Sequence, residues 1–313
     1  MPAPWTLLAL APLVAPPFVS PVTATRAPLG PEGLYQRTLT RALERSQADL
    51  LVSLNSLVQD HSKWENPWVA TSEHYEVRTT DSYTLAAYMA GQLEYMRGEM
   101  VKLLGEGSSS GEKLPIWILP NLGAFNAAGQ QAAEHSSMYG SFYADQVPGQ
   151  PVATYYVSNR TLLGMWVTHS AVHQFLERSF AAQPPTWVAE GLASYFALYW
   201  DWGYGAKELK SLGRNRTYVP IERLVRDGLP AYVGNADQRF IELGMLFHYL
   251  LNYCESTRIG AGGDPATGPF RDFLRLAVRG QDTSRTEFAQ TFDEGAALLE
   301  SDFKSFDFPE FPQ

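Results

Sequence analysis

Three side chains in this chain have the types and spacing to hold a metal ion. His169 and His173 stand four residues apart in Thr168-His169-Ser170-Ala171-Val172-His173. Residues at i and i+4 share one face of a helix. Glu190 follows in Pro185-Thr186-Trp187-Val188-Ala189-Glu190-Gly191, in the first turn of what reads as the next helix. Two imidazoles and one carboxylate, with a fourth position open, are the donor set of a catalytic zinc ion. In H-E-x-x-H the residue after the first histidine is the general-base glutamate. Here that residue is Ser170. A serine hydroxyl does not take a proton near neutral pH, and general acid–base work contributes about 10²–10⁴-fold to such reactions. The donors read as present and the base as missing.

Other groups could stand in for that base. Glu177 lies one turn further along the same face, at 169, 173, 177, and suits a solvated or supporting role better. Glu134-His135 forms a possible acid/base pair in a segment that reads as a surface loop. His248, in Phe247-His248-Tyr249-Leu250, is a third candidate and equally a core histidine. Tyr195 is five residues from Glu190, off its face, so packing is its expected role. Cys254 is the one cysteine. Its apolar context reads as a buried structural thiol, and neither a disulfide nor a cysteine zinc site can form within the chain. With six histidines, some H-x-x-x-H pair arises by chance about one time in ten. The pair therefore gains its meaning from the elements around it.

Those elements read as strands first and helices later. His74–Thr79 alternates in polarity and predicts a strand. Ser82 caps a helix running to Leu104, with Leu85, Met89, Leu93, Met96 and Met100 at helical spacing. The three methionines among them read as core filler. Leu114–Leu119 predicts a second strand, ended by Pro120-Asn121. Gly140–Tyr143 and Pro151–Val157 read as a hairpin around Pro148-Gly149, bordering a groove where an extended peptide could pair. Leu162–Phe180 is the helix carrying both histidines. Thr186 reads as N-cap of the next helix, which runs through Glu190 towards Trp200. Residues 203–220 read as a polar connection. Helices over 239–253, 270–278 and 286–306 complete the chain. Trp64–Trp68 reads as a break between elements. Asn159-Arg160-Thr161 and Asn215-Arg216-Thr217 match the glycosylation sequon.

Composition bounds the partners. The 313 residues carry a net charge of −9, which leaves no basic surface for phosphates and argues against nucleic acid. Sixteen Tyr, sixteen Phe and eight Trp can fill a sizeable core. Residues 1–24 contain no charged side chain and include Thr6–Ala15, an apolar run of signal-peptide length, with Val22-Thr23-Ala24 as a small-residue cleavage site. The expectation is an exported protein: periplasmic, cell-envelope or extracellular. Residues 25–63 read as a Pro/Gly-rich linker and an amphipathic helix, with Leu43, Leu50 and Leu57 seven apart. No other stretch is long and apolar enough for a transmembrane span. The main domain is expected over 64–306, with 307–313 as a tail.

The chain resembles the gluzincins, and more closely the bacterial peptidase MA-like domains of unknown function. The resemblance rests on the histidine pair and on Pro185-Thr186-Trp187-Val188-Ala189-Glu190-Gly191-Leu192-Ala193-Ser194-Tyr195-Phe196, a close match to P-x-W-L-x-E-G-L-A-x-Y-F. It extends over about 64–306. It implies a zincin-like α+β fold: a small N-terminal β-sheet with helices, packed on a mostly helical C-terminal half, the active-site helix between them. It implies zinc bound by His169, His173 and Glu190, a glutamate where Ser170 stands, and a peptide or protein ligand in the groove. His248 matches a family position from which it could donate to an oxyanion. Three readings stay open at this point: a zinc-binding pseudopeptidase, an active zinc hydrolase with a displaced base, and a metal-free interaction domain.

Overall fold

The computed structural model of the protein describes residues 60–108, 111–131, 141–143, 151–215, 218–226, 236–254, 258 and 268–308. The expected signal segment, nearly all of the 25–63 linker and helix, the Glu134-His135 pair and the last five residues of the expected tail lie outside the described residues. The fold is mixed α and β. Its strands are β1 (Trp68–Thr71), β2 (Tyr75–Thr79), β3 (Leu114–Leu119), β4 (Ser141–Tyr143) and β5 (Val152–Tyr155). Its helices are α1 (Tyr83–Leu104), α2 (Leu122–Gln131), α3 (Arg160–Ser179), α4 (Thr186–Leu198), α5 (Trp202–Asn215), α6 (Ile221–Arg226), α7 (Ala236–Asn252), α8 (Pro269–Ala277) and α9 (Glu287–Ser305).

The five strands form one sheet in the order β1-β2-β3-β5-β4. β2, β3 and β5 are parallel neighbours, and β1 and β4 run antiparallel at the two edges. One face is buried: Tyr75, Val77 and Thr79 of β2, with Leu114, Ile116 and Ile118 of β3. α1 crosses over that face between β2 and β3. Its N-terminus is closed as the sequence suggests, the Ser82 hydroxyl accepting from the Leu85 N–H at 3.2 Å. Met89, Met96 and Met100 are buried core residues.

Two apolar faces explain where α3 sits. Leu163, Val167 and Ala171 pack into the core under the sheet. Met165, Val172, Phe175 and Leu176 pack into the helical core. A helix apolar on opposite faces must lie between two layers, and α3 does so. Asn159 caps it, accepting from the Leu162 N–H at 3.0 Å. The Trp200 indole N–H donates to the Thr168 hydroxyl at 2.8 Å, fixing the end of α4 against α3.

Glycines let the helices approach closely enough to set the site. A Cβ on Gly164 would meet the Trp200 ring at 2.4 Å, and one on Gly191 would meet the Phe247 ring at 2.1 Å. Gly191 is next to Glu190, so its contact with α7 fixes the height at which that carboxylate is presented. We expect Gly191→Ala to cost about 1–3 kcal/mol by overpacking, as read by thermal unfolding.

The structure departs from the sequence reading at four places. Thr186 is not the N-cap of α4. Pro185 takes that position without a side-chain cap, and its carbonyl accepts from Val188 at 2.8 Å. Residues 203–220 are mostly helix rather than connection: Asp201 caps α5 by accepting from the Tyr204 N–H at 2.8 Å. Trp202 and Leu209 bury the inner face of that helix. Residues Leu122–Gln131, which have no clear period, form α2, capped by Asn121 through the Ala124 N–H at 2.9 Å. β1 begins at Trp68, within the expected Trp64–Trp68 break. Only Ala70 of β1 is buried, so this edge strand carries no apolar pattern. Among the described residues no helix is long and apolar enough to cross a membrane.

Candidate metal centre

α3 and α4 bring the three expected ligands to one point. His169 Nε2 and His173 Nε2 are 3.3 Å apart. Glu190 faces both, with Oε2 3.5 Å from His169 Nε2 and Oε1 3.6 Å from His173 Nε2. Four donors around zinc at bonds of about 2.1 Å are separated by about 3.4 Å along each tetrahedral edge. The spacing of the two imidazole nitrogens is close to that edge, and each Glu190 oxygen stands at about that distance from one of them. Among the described residues no further His, Cys, Asp or Glu joins the group.

The electrostatics suit ligation. Burial pulls the His169 imidazole down against the opposing pull of Glu190, which keeps its ring neutral, the state a metal needs. Burial pushes the Glu190 carboxyl up, but His173 and His169 together outweigh it and hold the group well below the usual range. One detail is unusual. His169 Nδ1 is buried and has no hydrogen-bond partner among the described residues. Metal-bound histidines ordinarily donate that proton to a neighbour, and losing such a partner costs about 10–100-fold in affinity.

Ser170 lies in this site with its hydroxyl already committed. It is 4% exposed. Its Oγ sits 2.8 Å from Ser141 Oγ on β4. Ser141 donates its own proton to the Trp166 carbonyl at 2.8 Å. A hydroxyl has one proton, so Ser170 is the donor to Ser141. The residue is a structural tie between α3 and the edge strand. Nothing in the chain pattern pointed to Ser141, because a helix-to-strand register cannot be read from spacing.

The remaining candidates fall elsewhere. Glu177 is half-buried on α3 and stands outside the convergent group. His248 does not join it either. Its ring stacks on Trp202 at 3.9 Å and faces Phe308 at 5.9 Å and Tyr195 at 6.2 Å. Tyr195 packs on Phe196 and Trp202, away from the face that presents Glu190. Cys254 is buried, as its context suggests. A second group that could hold a metal, Glu73, His74 and Glu94, was not legible as such. There both Glu94 oxygens are engaged by His74, from the backbone N–H at 3.0 Å and from Nδ1 at 2.5 Å. That carboxylate ties the start of β2 to α1.

A cavity of about 220 Å³ opens beside His169, between α3, α5 and α7. The sequence did not single out its walls, among them Trp166, Tyr204 and Phe240. No protein-family model, curated protein or solved structure matches the chain.

One buried carboxylate outside the centre has a measurable consequence. Glu242 of α7 accepts from the Val219 N–H at 3.0 Å and from Gln238 at 3.0 Å, which fastens the segment before α6 to α7. Burial pushes its carboxyl up to about 7. The folded chain then holds a proton that the unfolded chain releases near 4.5. This contribution is fully present below about 4.5 and is lost as pH rises through about 7. Burial of His248 acts oppositely. Its imidazole is pulled down to about 4, so its contribution is present above the ordinary histidine value and lost as pH falls through about 4. We expect Glu242→Gln to stabilise the protein at pH 8 by up to about 3 kcal/mol and to change little at pH 4, as read by denaturant unfolding at both values. Equal effects at the two pH values would contradict the assignment.

Proposed function

We propose that the protein is a zinc-binding, metallopeptidase-like protein that has lost most of its hydrolytic power, a pseudopeptidase of the gluzincin type that binds peptides. The observation that carries this reading is the convergence of His169, His173 and Glu190 at 3.3–3.6 Å beside a serine whose proton is spent on Ser141. Zinc at these three ligands would supply Lewis acidity toward a carbonyl and a bound water of pKa about 7.

The chain's own residues supply the rest. His169 and His173 offer Nε2 from one face of α3, and Glu190 closes the group from α4 with a carboxylate already held ionised. Ser170 cannot accept a proton from water and pass it to a leaving amine. Glu177, the nearest carboxylate along α3, stands outside the group. Binding therefore outlives turnover. The position of β4 at the sheet edge, next to α3, supports strand addition as the way an extended peptide is held. The uncharged segment at 1–24 supports export as the setting.

The expected result is tight zinc binding with peptide hydrolysis close to background. Chelator-sensitive turnover by the native chain, lost in His169→Ala, would replace this reading with that of an active hydrolase.

A further inference from the structure

The cavity beside His169 has the size and lining of a side-chain pocket. We propose that it selects peptides bearing a large apolar, above all aromatic, side chain and seats the main chain of that residue against His169, His173 and Glu190. The inference rests on the reading of those three residues as a ligand-binding metal centre.

Size comes first. A dry apolar cavity of about 150 Å³ accepts benzene, and this one measures about 220 Å³. It holds an aromatic ring with its first methylene. An alanine side chain would leave most of it empty.

The lining agrees. Leu162, Met165 and Trp166 reach it from α3, Tyr204 from α5 and Phe240 from α7. Residues 162, 165/166 and 169 follow the i, i+3/i+4, i+7 stripe of one helix face. The pocket and the first histidine therefore lie on one line, with His173 a turn beyond. A ligand entering the pocket has its backbone led along α3 to the metal ligands. The Phe240 ring lies 5.7 Å from the His169 ring, so one wall is shared between pocket and centre. Leu162 and Tyr204 remain 37% and 42% exposed. That leaves uncovered apolar surface at the mouth, which a bound side chain would bury.

The charge pattern sets what is rejected. Asp201 lines the cavity, and its Oδ1 is held by the Tyr204 N–H. No cation among the described residues forms an ion pair with it. A carboxylate here, on a chain of net charge −9, disfavours acidic side chains.

The test uses the full chain and acetyl-Gly-X-Gly-amide peptides with X = Phe, Leu, Ala or Asp. Binding is titrated to zinc-loaded and to chelated protein, and zinc content is measured on the same samples. We expect Phe to bind best and Asp worst, with Phe over Ala by about 10–100-fold. Leu162→Trp places an indole into the pocket from an exposed first-turn position, and should bring the Phe/Ala ratio to within about twofold with unchanged thermal stability. Tyr204→Ala removes a wall from an exposed site and should lower the ratio independently, should the first variant fold poorly. A native protein that binds none of the peptides, or binds Phe and Ala alike, overturns the proposal. So does a folded Leu162→Trp protein that keeps the preference. Bound zinc without selectivity sinks the pocket and leaves the metal centre standing. Selectivity in a protein that takes no zinc does the reverse.

Discussion

Ser170→Glu should gain zinc-dependent peptide hydrolysis by about 10²–10⁴-fold over the native chain, the usual contribution of a general acid–base. The substitution puts a carboxylate between the two histidines on α3, one residue from His169, where H-E-x-x-H sites carry their base. The native hydroxyl cannot serve there because it does not take a proton near neutral pH, and it is tied to Ser141, whose own proton goes to the Trp166 carbonyl. That tie also sets the difficulty of the experiment. The larger side chain must displace the contact with Ser141, so Ser141→Gly/Ser170→Glu is the companion variant and should recover any activity lost to crowding. Initial rates on a quenched peptide, with and without chelator, read the effect. A Ser170→Glu protein that binds zinc, with its companion also inactive, would mean that the lesion lies elsewhere than position 170.

Glu190→Gln should weaken zinc binding by more than about a hundredfold, since loss of even a supporting partner to a ligand costs about 10–100-fold. The amide keeps the shape of the side chain but loses the charge that faces both imidazoles at 3.5 and 3.6 Å. Zinc should raise the unfolding temperature of the native chain, by about 2.7 kcal/mol of added stability at a hundred times Kd, and should barely move that of the variant. The metal-free proteins differ in a second way. The Glu190 carboxyl is held below its ordinary value, so its contribution to stability is present above about 4.5 and fades as pH falls further. Glu190→Gln should flatten that acid limb. Unchanged zinc affinity in this variant would remove Glu190 from the ligand set.

Much of this site could be read from the chain because it is built from local geometry. His169 and His173 are one helical turn apart, and a short Pro184-Pro185 connection brings Glu190 round on the next helix. Two helices joined that tightly have few ways to pack, and Gly164 of α3 against Trp200 at the end of α4 selects one. The strand β2 was legible from alternation, since one of its faces is buried, and β3 from an apolar run ended by Pro120-Asn121. What sequence missed depends on distant contacts. Ser141 meets Ser170 only because β4 lies at the sheet edge beside α3. The walls of the cavity come from three helices, and nothing in Trp166, Tyr204 or Phe240 alone distinguishes a pocket from a core. The α5 helix was hidden by its glycines and charges, while its buried Trp202 and Leu209 are too few to make an apolar run. His248 matched an expected functional position, and its aromatic surroundings of Trp202, Tyr195 and Phe308 give it a packing role.

The most direct measurement is the zinc content of native protein purified without chelator, beside His169→Ala and His173→Ala prepared identically. We predict about one equivalent in the native chain, as three protein ligands with an open position require, and a near-complete loss in both variants. Native protein holding less than about a tenth of an equivalent after incubation with zinc, under conditions that spare weakly bound metal, would contradict the account and leave a metal-free fold in its place.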